Sequence, residues 1–224
     1  MTIKALILDF DGLLMDTETT LLQSWVWEWR RHGLTLDPAG FFADHGGDAN
    51  EPRYAALAAA VGPTYDRESS HTLRMAHRAG LNDRLRPAPG IVDWLDRAAG
   101  RGLRLAVASS SAAGHVISML ERAGLRSRFE VLATGDEVAA AKPDPAVYLL
   151  ALRRLGLPGR EAVGFEDSPH GVAAAQAAGL RCVAVPNAYA DPARFTAADL
   201  LLSSAADRSL DEVLADLPPA PAQA

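Results

Sequence analysis

Hydrophobic positions in the second half of the chain come in short runs separated by longer amphipathic stretches. The runs predict strands near residues 103–108, 129–133, 162–165, 182–185 and 200–202, and the stretches between them predict helices near 91–101, 114–123, 145–155 and 172–178. Strands that alternate with helices of about a dozen residues indicate a parallel sheet covered by helices on both faces. In such sheets, ligands bind at the carboxyl ends of the strands.

The first half of the chain has a different pattern. One apolar run at residues 3–10 predicts a strand, and from residue 17 to about residue 86 the hydrophobic spacing is helical. Within this block Leu22, Trp25 and Trp29 recur at helical intervals, and further helices are predicted near 52–61 and 68–78. The helical block therefore interrupts the sheet directly after its first strand.

This order of elements predicts an α/β fold with two parts. The first is a Rossmann-like parallel-sheet core domain of residues 1–15 and 87–217, and the second is an inserted all-helical cap domain at 16–86. The Pro/Ala-rich ending at 218–224 is predicted to be a disordered tail. Segments near 13–17 and 85–90 are expected to act as hinges for the cap.

Composition and charge narrow the class of protein. The 224 residues are 49% hydrophobic and 22% charged, which is ordinary for a globular chain, and the net charge of −6 argues against nucleic acid as a partner. No apolar run of about 18 residues and no secretory signal is evident, so we expect no membrane partner and a cytoplasmic protein. The single cysteine, Cys182, lies in an apolar run and is predicted to be a buried side chain rather than a catalytic thiol. The oligomeric state stays open between a monomer and a weak dimer.

The first polar motif, Asp9-Phe10-Asp11-Gly12, follows the first predicted strand. Two carboxylates this close repel each other where they are partly desolvated, and a cation between them removes that penalty. Gly12 allows a sharp turn through which a main-chain carbonyl could also reach the metal. The alternative is an ordinary Asx-turn or helix cap. A calcium-binding EF-hand loop is excluded, because Leu13 stands where that loop needs an acid or Asn, and Thr20 stands where it needs Glu.

The second and third motifs follow two later strands. Ser109-Ser110-Ser111 could bind a phosphate through a hydroxyl and free backbone N–H groups at a helix start, although a plain N-cap serine is the alternative. Lys142 lies before Pro143 and is therefore extended and outside the following helix, where its ammonium could neutralise a phosphate or carboxylate. A solvated surface lysine is the other interpretation. Asp144 and Pro145 fit the N-cap and first helical position.

The fourth motif is Glu166-Asp167 after a predicted strand. Adjacent acids at a strand end are suitable oxygen ligands for magnesium, and the alternative is that they stabilise the positive end of the next helix. Ser168 and Pro169 fit an N-cap and first helical residue. His170 could be a general acid, or a capping or surface histidine.

Four segments, LDFDGLLMDTE, AVASSS, AAKPDPAVY and GFEDSPHGVAAAQAAG, together resemble the haloacid dehalogenase superfamily, in its subgroup of phosphatases and phosphomutases with a helical cap after the first motif. The resemblance implies that Asp9 attacks phosphorus to form an aspartyl-phosphate, and that Asp11 is the general acid and base. It also implies a Mg²⁺ cofactor. The metal would be held by the Asp9 and Asp167 carboxylates, the Asp11 main-chain carbonyl and Glu166.

The same resemblance implies which groups contact the phosphate of the substrate. Ser109 and Lys142 would bind the phosphoryl oxygens, together with backbone N–H groups near Gly12 and Ser110. The presence of Asp11 indicates a phosphate ester, because dehalogenases of this group lack the second aspartate and phosphonatases replace it with a small residue. β-Phosphoglucomutases carry a histidine shortly after the DT pair, where this chain has Leu21 and Leu22.

We therefore expect an enzyme, a phosphoric monoester hydrolase acting on a small phosphorylated metabolite such as a sugar or polyol phosphate. The alternatives are a β-phosphoglucomutase-like phosphomutase and a non-catalytic phosphometabolite-binding module. Substrate choice is expected to lie in the cap, where the candidates are Glu18, the loop at 45–50, Arg53, Arg74 and Arg78. The alternative for the three arginines is a solvated face, which is the commoner role of such residues.

Overall fold

The computed structural model describes residues 2–38, 41, 50–187 and 189–219. The chain forms two compact units, residues 1–16 with 86–224 and residues 17–85. The role of the second unit as a cap stays a prediction. Most of the loop at 45–50 and residues 220–224 of the predicted tail lie outside the described residues. Pro218, at the start of that tail, accepts a hydrogen bond from Arg181 through its carbonyl oxygen (2.9 Å).

The larger unit contains a six-stranded parallel sheet, which confirms the predicted fold class. The strands are β1 (Ala5–Leu8), β2 (Arg104–Ala108), β3 (Val131–Ala133), β4 (Ala162–Glu166), β5 (Arg181–Ala184) and β6 (Leu200–Leu201). Their order is β3-β2-β1-β4-β5-β6, so β1 lies between β2 and β4, and Ile7 is in register with Ala106 and Gly164. The polar residues after β1, β2 and β4 therefore meet at one edge of the sheet.

Helices occupy both units. They are α1 (Thr17–Arg31), α2 (Asn50–Val61) and α3 (Arg67–Asn82) in the smaller unit, and α4 (Ile91–Gly100), α5 (Ala113–Arg122), α6 (Ala146–Leu155), α7 (Pro169–Ala177) and α8 (Leu210–Asp216) in the larger. Helix α8 was not among the predicted helices, although Ser209 and Glu212 form a capping box that marks its start. Helix α6 begins one residue later than predicted, with Pro145 as its N-cap.

The sheet is buried on both faces, which explains why its strands are continuous apolar runs rather than alternating ones. All side chains of β1, β4 and β5 are buried. Trp94 from α4 packs against Phe165 with ring centroids 5.1 Å apart, and its Nε1 donates to the carbonyl oxygen of Arg208 (2.9 Å). Cys182 is buried in β5, as predicted, and burial raises the pKa of its thiol.

The smaller unit has its own buried centre, which corrects one expectation. Arg74 on α3 is fully buried, so it is neither part of a solvated face nor presented on the surface of this unit. Its Nε donates to the Tyr54 hydroxyl (2.8 Å), its Nη1 donates to Ser24 Oγ (3.1 Å), and its guanidinium lies 4.3 Å from the centre of the Trp25 ring. These contacts make Arg74 a packing residue of the unit.

Candidate active site

The loop after β1 carries two carboxylates in different surroundings. The Asp9 N–H donates to the carbonyl oxygen of Phe165 (2.9 Å), which extends the pairing of β1 with β4 by one bond. Gly12 then adopts a φ of 85°, which favours glycine, and its N–H donates to the Met15 carbonyl (2.8 Å). The predicted turn at Gly12 is therefore present. In this conformation its amide is engaged within the loop, so its contact with phosphate stays a prediction.

Lys142 lies at the centre of a buried group of acids. Its Nζ forms ion pairs with Asp9 and with Glu166 (2.5 Å to the latter) and donates to the Ala108 carbonyl (2.9 Å). Only 8% of the lysine is exposed. The alternative of a solvated surface lysine is therefore wrong. Through Asp9, Ala108 and Glu166, the Lys142 ammonium contacts the carboxyl ends of β1, β2 and β4.

Glu166 has two further neighbours that the motif analysis missed. The Tyr148 hydroxyl donates to Glu166 Oε1 (2.7 Å), and burial raises the pKa of Tyr148 so that the hydroxyl stays protonated. A Cβ on Gly171 would lie 1.9 Å from the Glu166 carboxylate, so any larger residue there would push the carboxylate out of this position. Tyr148 and Gly171 lie inside two of the quoted segments, but their spacing alone does not reveal which acid they contact.

Three of the predicted metal ligands form one compact set. Asp9, Glu166 and Asp167 each offer a carboxylate oxygen, and these oxygens lie within 4.8 Å of one another. All three residues are buried. Hard oxygen donors at this spacing fit a magnesium ion. Within the described ranges this is the one group of at least three such side chains, and it does not include the Asp11 carboxylate.

The Asp11 carboxylate faces the loop after β2 instead. Ser111 Oγ donates to Asp11 Oδ2 (2.6 Å), and His115 Nε2 lies 3.3 Å from Asp11 Oδ1. Ser109 Oγ is 3.5 Å from Asp11 Oδ2, at the limit of a hydrogen bond, and it accepts one from the Ser111 N–H (3.0 Å). Ser110 is exposed. His115 was not identified from the sequence; its position in the first turn of α5 is the signal that could have found it.

The helix that follows Glu166 and Asp167 is capped by Ser168, as predicted. Ser168 Oγ accepts a hydrogen bond from the Gly171 N–H (3.1 Å), and Pro169 is the first residue of α7. Capping of this helix therefore does not require His170, which is half-buried. A general-acid role for His170 stays untested.

Comparison with known proteins decides the family. The profile of haloacid dehalogenase-like hydrolases matches residues 6–185, which span every motif described above. The chain belongs to the haloacid dehalogenase-like hydrolase family. The predicted resemblance is thereby confirmed.

Relatives of this hydrolase are similar along nearly their whole length. Protein CbbY of Rhodobacter capsulatus is 35% identical over 95% of this chain and 100% of its own. Hexitol phosphatase A of Escherichia coli is 32% identical over 91% of this chain and 92% of its own. Among solved structures, a mutant of CbbY from Rhodobacter sphaeroides in complex with xylulose-(1,5)bisphosphate has a TM-score of 0.71 and 31% identity, covering 92% of this chain and 96% of its own. These relatives agree with the prediction of a phosphoric monoester hydrolase.

The electrostatics of the hydrolase's acidic set favour a bound cation. Burial raises the pKa of Asp9 to about 8; the Lys142 ammonium opposes this rise, and the Glu166 and Asp11 carboxylates add to it. Burial also disfavours the charged form of Lys142, but the Asp9 and Glu166 carboxylates outweigh it and raise the pKa of the ammonium. Lys142 therefore stays charged, and the remaining negative charge calls for a proton on Asp9 or a metal ion.

No helix of the described ranges of this hydrolase combines the length and the apolar character that crossing a bilayer requires.

Proposed function

We propose that this haloacid dehalogenase-like hydrolase is a Mg²⁺-dependent phosphatase that hydrolyses sugar or polyol phosphates through an aspartyl-phosphate on Asp9. The observation that carries the proposal is that the two carboxylates of the loop after β1 have different surroundings. Asp9 lies in a buried set with Lys142, Glu166 and Asp167, whereas the Asp11 carboxylate faces hydroxyl and imidazole groups and is 25% exposed. Two carboxylates in contrasting environments are suited to two roles, nucleophile and proton carrier.

The donor set supports magnesium as the cofactor. Asp9, Glu166 and Asp167 would hold the ion, with the Asp11 main-chain carbonyl as a further ligand expected from the family resemblance. Once bound, magnesium would neutralise charge on the phosphoryl oxygens and on the surrounding carboxylates. Gly171 and Tyr148 support this assignment, because the first leaves space for the Glu166 carboxylate and the second fixes one of its oxygens.

Catalysis would proceed in two balanced steps. In the first, a carboxylate oxygen of Asp9 forms a bond to phosphorus while the bond to the ester oxygen breaks, and the protonated Asp11 carboxyl gives its proton to the departing oxygen. In the second, Asp11 takes a proton from water as that water bonds to phosphorus, and the bond between phosphorus and Asp9 breaks. Inorganic phosphate and the free Asp9 carboxylate result. Lys142 and Ser109 would contact the phosphoryl oxygens during both steps.

The substrate class comes from two relatives. Hexitol phosphatase A is named for a polyol phosphate, and the CbbY structure holds a sugar bisphosphate. Both ligands are small and rich in hydroxyl groups. A sugar or polyol phosphate is therefore the class that we assign to this chain.

The test is release of inorganic phosphate from a panel of sugar, polyol, nucleotide and two-carbon phosphates, with magnesium and with a chelator. Asp9→Asn is expected to lower kcat by at least about a thousandfold, because the nucleophile is lost. The control is Asp93→Asn, which makes the same carboxylate-to-amide change at an exposed position of α4.

Each outcome of this test is informative. Phosphate release that requires both magnesium and Asp9 supports the proposal. Release that survives chelation or Asp9→Asn contradicts it. Transfer of the phosphoryl group to a second sugar hydroxyl without release would instead identify a phosphomutase, and tight binding without either reaction would identify a binding module.

A further inference from the structure

We infer that Ser111 and His115 position the Asp11 carboxylate for proton transfer, and that this pair determines whether the enzyme can expel a poor leaving group. The inference rests on the proposed function and adds to it two residues that take no part in the two catalytic steps proposed for Asp9 and Asp11. We call the two side chains the Asp11 clamp. It is built across the fold, because its members lie 100 and 104 residues after Asp11 in the chain.

The clamp holds both oxygens of one carboxylate. Ser111 Oγ donates to Asp11 Oδ2 at 2.6 Å, the usual length of a hydrogen bond from a hydroxyl to a carboxylate, and His115 Nε2 is 3.3 Å from Oδ1. When Asp11 is ionised, as it is when it takes a proton from water, its oxygens only accept hydrogen bonds, so the imidazole is then the donor in this pair. When Asp11 carries the proton for the ester oxygen, each of its oxygens keeps a lone pair that can still accept from the clamp. Two donors on opposite oxygens fix the rotation of the carboxyl group, which one donor alone would leave free.

The clamp residues are themselves held by well-packed elements. The His115 ring stands edge-on to the fully buried Phe10 ring, with centroids 5.8 Å apart and planes at 90°. The Ser111 N–H donates to Ser109 Oγ (3.0 Å), and the Ser111 carbonyl accepts from the Gly135 N–H (2.9 Å). A Cβ on Gly135 would lie 2.0 Å from the Ser110 carbonyl oxygen, so this approach requires glycine. A carboxylate held through supported partners keeps its orientation during catalysis.

This arrangement has a consequence for substrate scope. A sugar or polyol leaves as a strongly basic alkoxide, which must be protonated as the phosphorus–oxygen bond breaks, whereas p-nitrophenolate leaves without that help. Loss of the clamp should therefore slow the first step for alkyl phosphates much more than for p-nitrophenyl phosphate. A residue that only stabilised the fold would slow both.

The experiment measures kcat/KM for an alkyl phosphate and for p-nitrophenyl phosphate, since this constant reports the steps up to alcohol release. Ser111→Ala and His115→Ala are each expected to lower kcat/KM for the alkyl phosphate about 10- to 100-fold and to change the aryl value less than about threefold. His115→Gln, which keeps an N–H donor, should recover part of the loss. Ser118→Ala, one turn farther along α5, is the matched control and should leave both constants unchanged.

A second measurement separates failure of the clamp from failure of the proposed function. The ¹⁵N resonance of His115 Nε2, assigned by its disappearance in His115→Gln, should shift in Asp11→Ala and stay in place in Ser118→Ala. An unshifted resonance, an equal loss on both esters, or a rise in alkyl phosphate turnover would overturn the clamp. If the unaltered enzyme releases no phosphate, the proposed function fails, and the resonance shift alone decides whether the clamp exists.

Discussion

Both units of the molecule bury basic side chains, and two of these, Lys142 in the larger unit and Arg74 in the smaller, are surrounded very differently. Lys142 in the larger unit contacts two carboxylates, with a third nearby. Arg74 in the smaller unit is held by the Tyr54 and Ser24 hydroxyls and by the face of the Trp25 ring. Burial of a cation is therefore not by itself a sign of function. What distinguishes the two sites is the excess of negative charge around Lys142, which leaves a place for a metal ion.

The largest expected effect is the loss of activity when the Lys142 ammonium is removed. Lys142→Ala should lower kcat/KM for phosphate release by at least about a thousandfold, because the phosphoryl oxygens lose their ammonium. It should also lower the free energy of unfolding of the metal-free protein by about 3–5 kcal/mol, since Asp9 and Glu166 then remain buried without the ammonium that balances their charge. Kinetics and denaturant unfolding measure the two effects. Activity within tenfold of the original would contradict this role for Lys142.

The second prediction concerns Arg74, for which we expect a loss of stability rather than of chemistry. Arg74→Leu should lower the free energy of unfolding by about 2–4 kcal/mol, because the hydroxyls of Tyr54 and Ser24 lose a buried charged donor. The kcat of the molecules that remain folded should change little. Arg84→Leu, at an exposed position of the same unit, is the control and should change stability by less than about 0.5 kcal/mol. Equal stability of the two variants would remove the contrast between the two buried cations.

The third prediction is that magnesium affinity depends on pH, because the Lys142 ammonium does not balance all the negative charge of the surrounding carboxylates. Because the pKa of Asp9 is raised to about 8 without metal, magnesium must displace a proton from Asp9 at lower pH. The apparent affinity for magnesium should therefore fall about tenfold per pH unit below 8 and level off above it. Calorimetry in buffers of different ionisation enthalpy would also detect the released proton. In Asp9→Asn this pH dependence should disappear; its persistence would assign the proton to another group.

The smallest expected effects come from removing one tyrosine hydroxyl at each of the two sites, Tyr148 near Lys142 and Tyr54 beside Arg74. Tyr148→Phe removes a donor from Glu166 and should weaken magnesium binding about tenfold. Tyr54→Phe removes the acceptor of Arg74 and should instead lower the free energy of unfolding by about 1 kcal/mol, with magnesium affinity unchanged. Measuring both properties in both variants tests whether each hydroxyl belongs to its own site. The opposite pattern would contradict the assignment.

Much of the fold could be predicted because its signals are local. The predicted positions of β1, β2, β4 and β5 nearly match the observed ones. Strands buried on both faces are continuous apolar runs, which are easy to recognise in the sequence. Helix α8 was missed because it has only seven residues and follows a two-residue strand, so its capping box was the only clear sign. The shift of the α6 start to Ala146 is a matter of one residue at a Pro-rich entry.

The sequence by itself determined the parallel sheet, the helical block and the acidic and basic residues that follow the strands, because each depends on spacing within a short segment. Only the tertiary structure decided which side chains meet. It directs Asp11 to Ser111 and His115, joins Tyr148 to Glu166, and places Arg74 inside the smaller unit. These contacts join residues 18 to 104 positions apart, and no local periodicity encodes such pairs. They arise only when the strands are set side by side and the helices are packed.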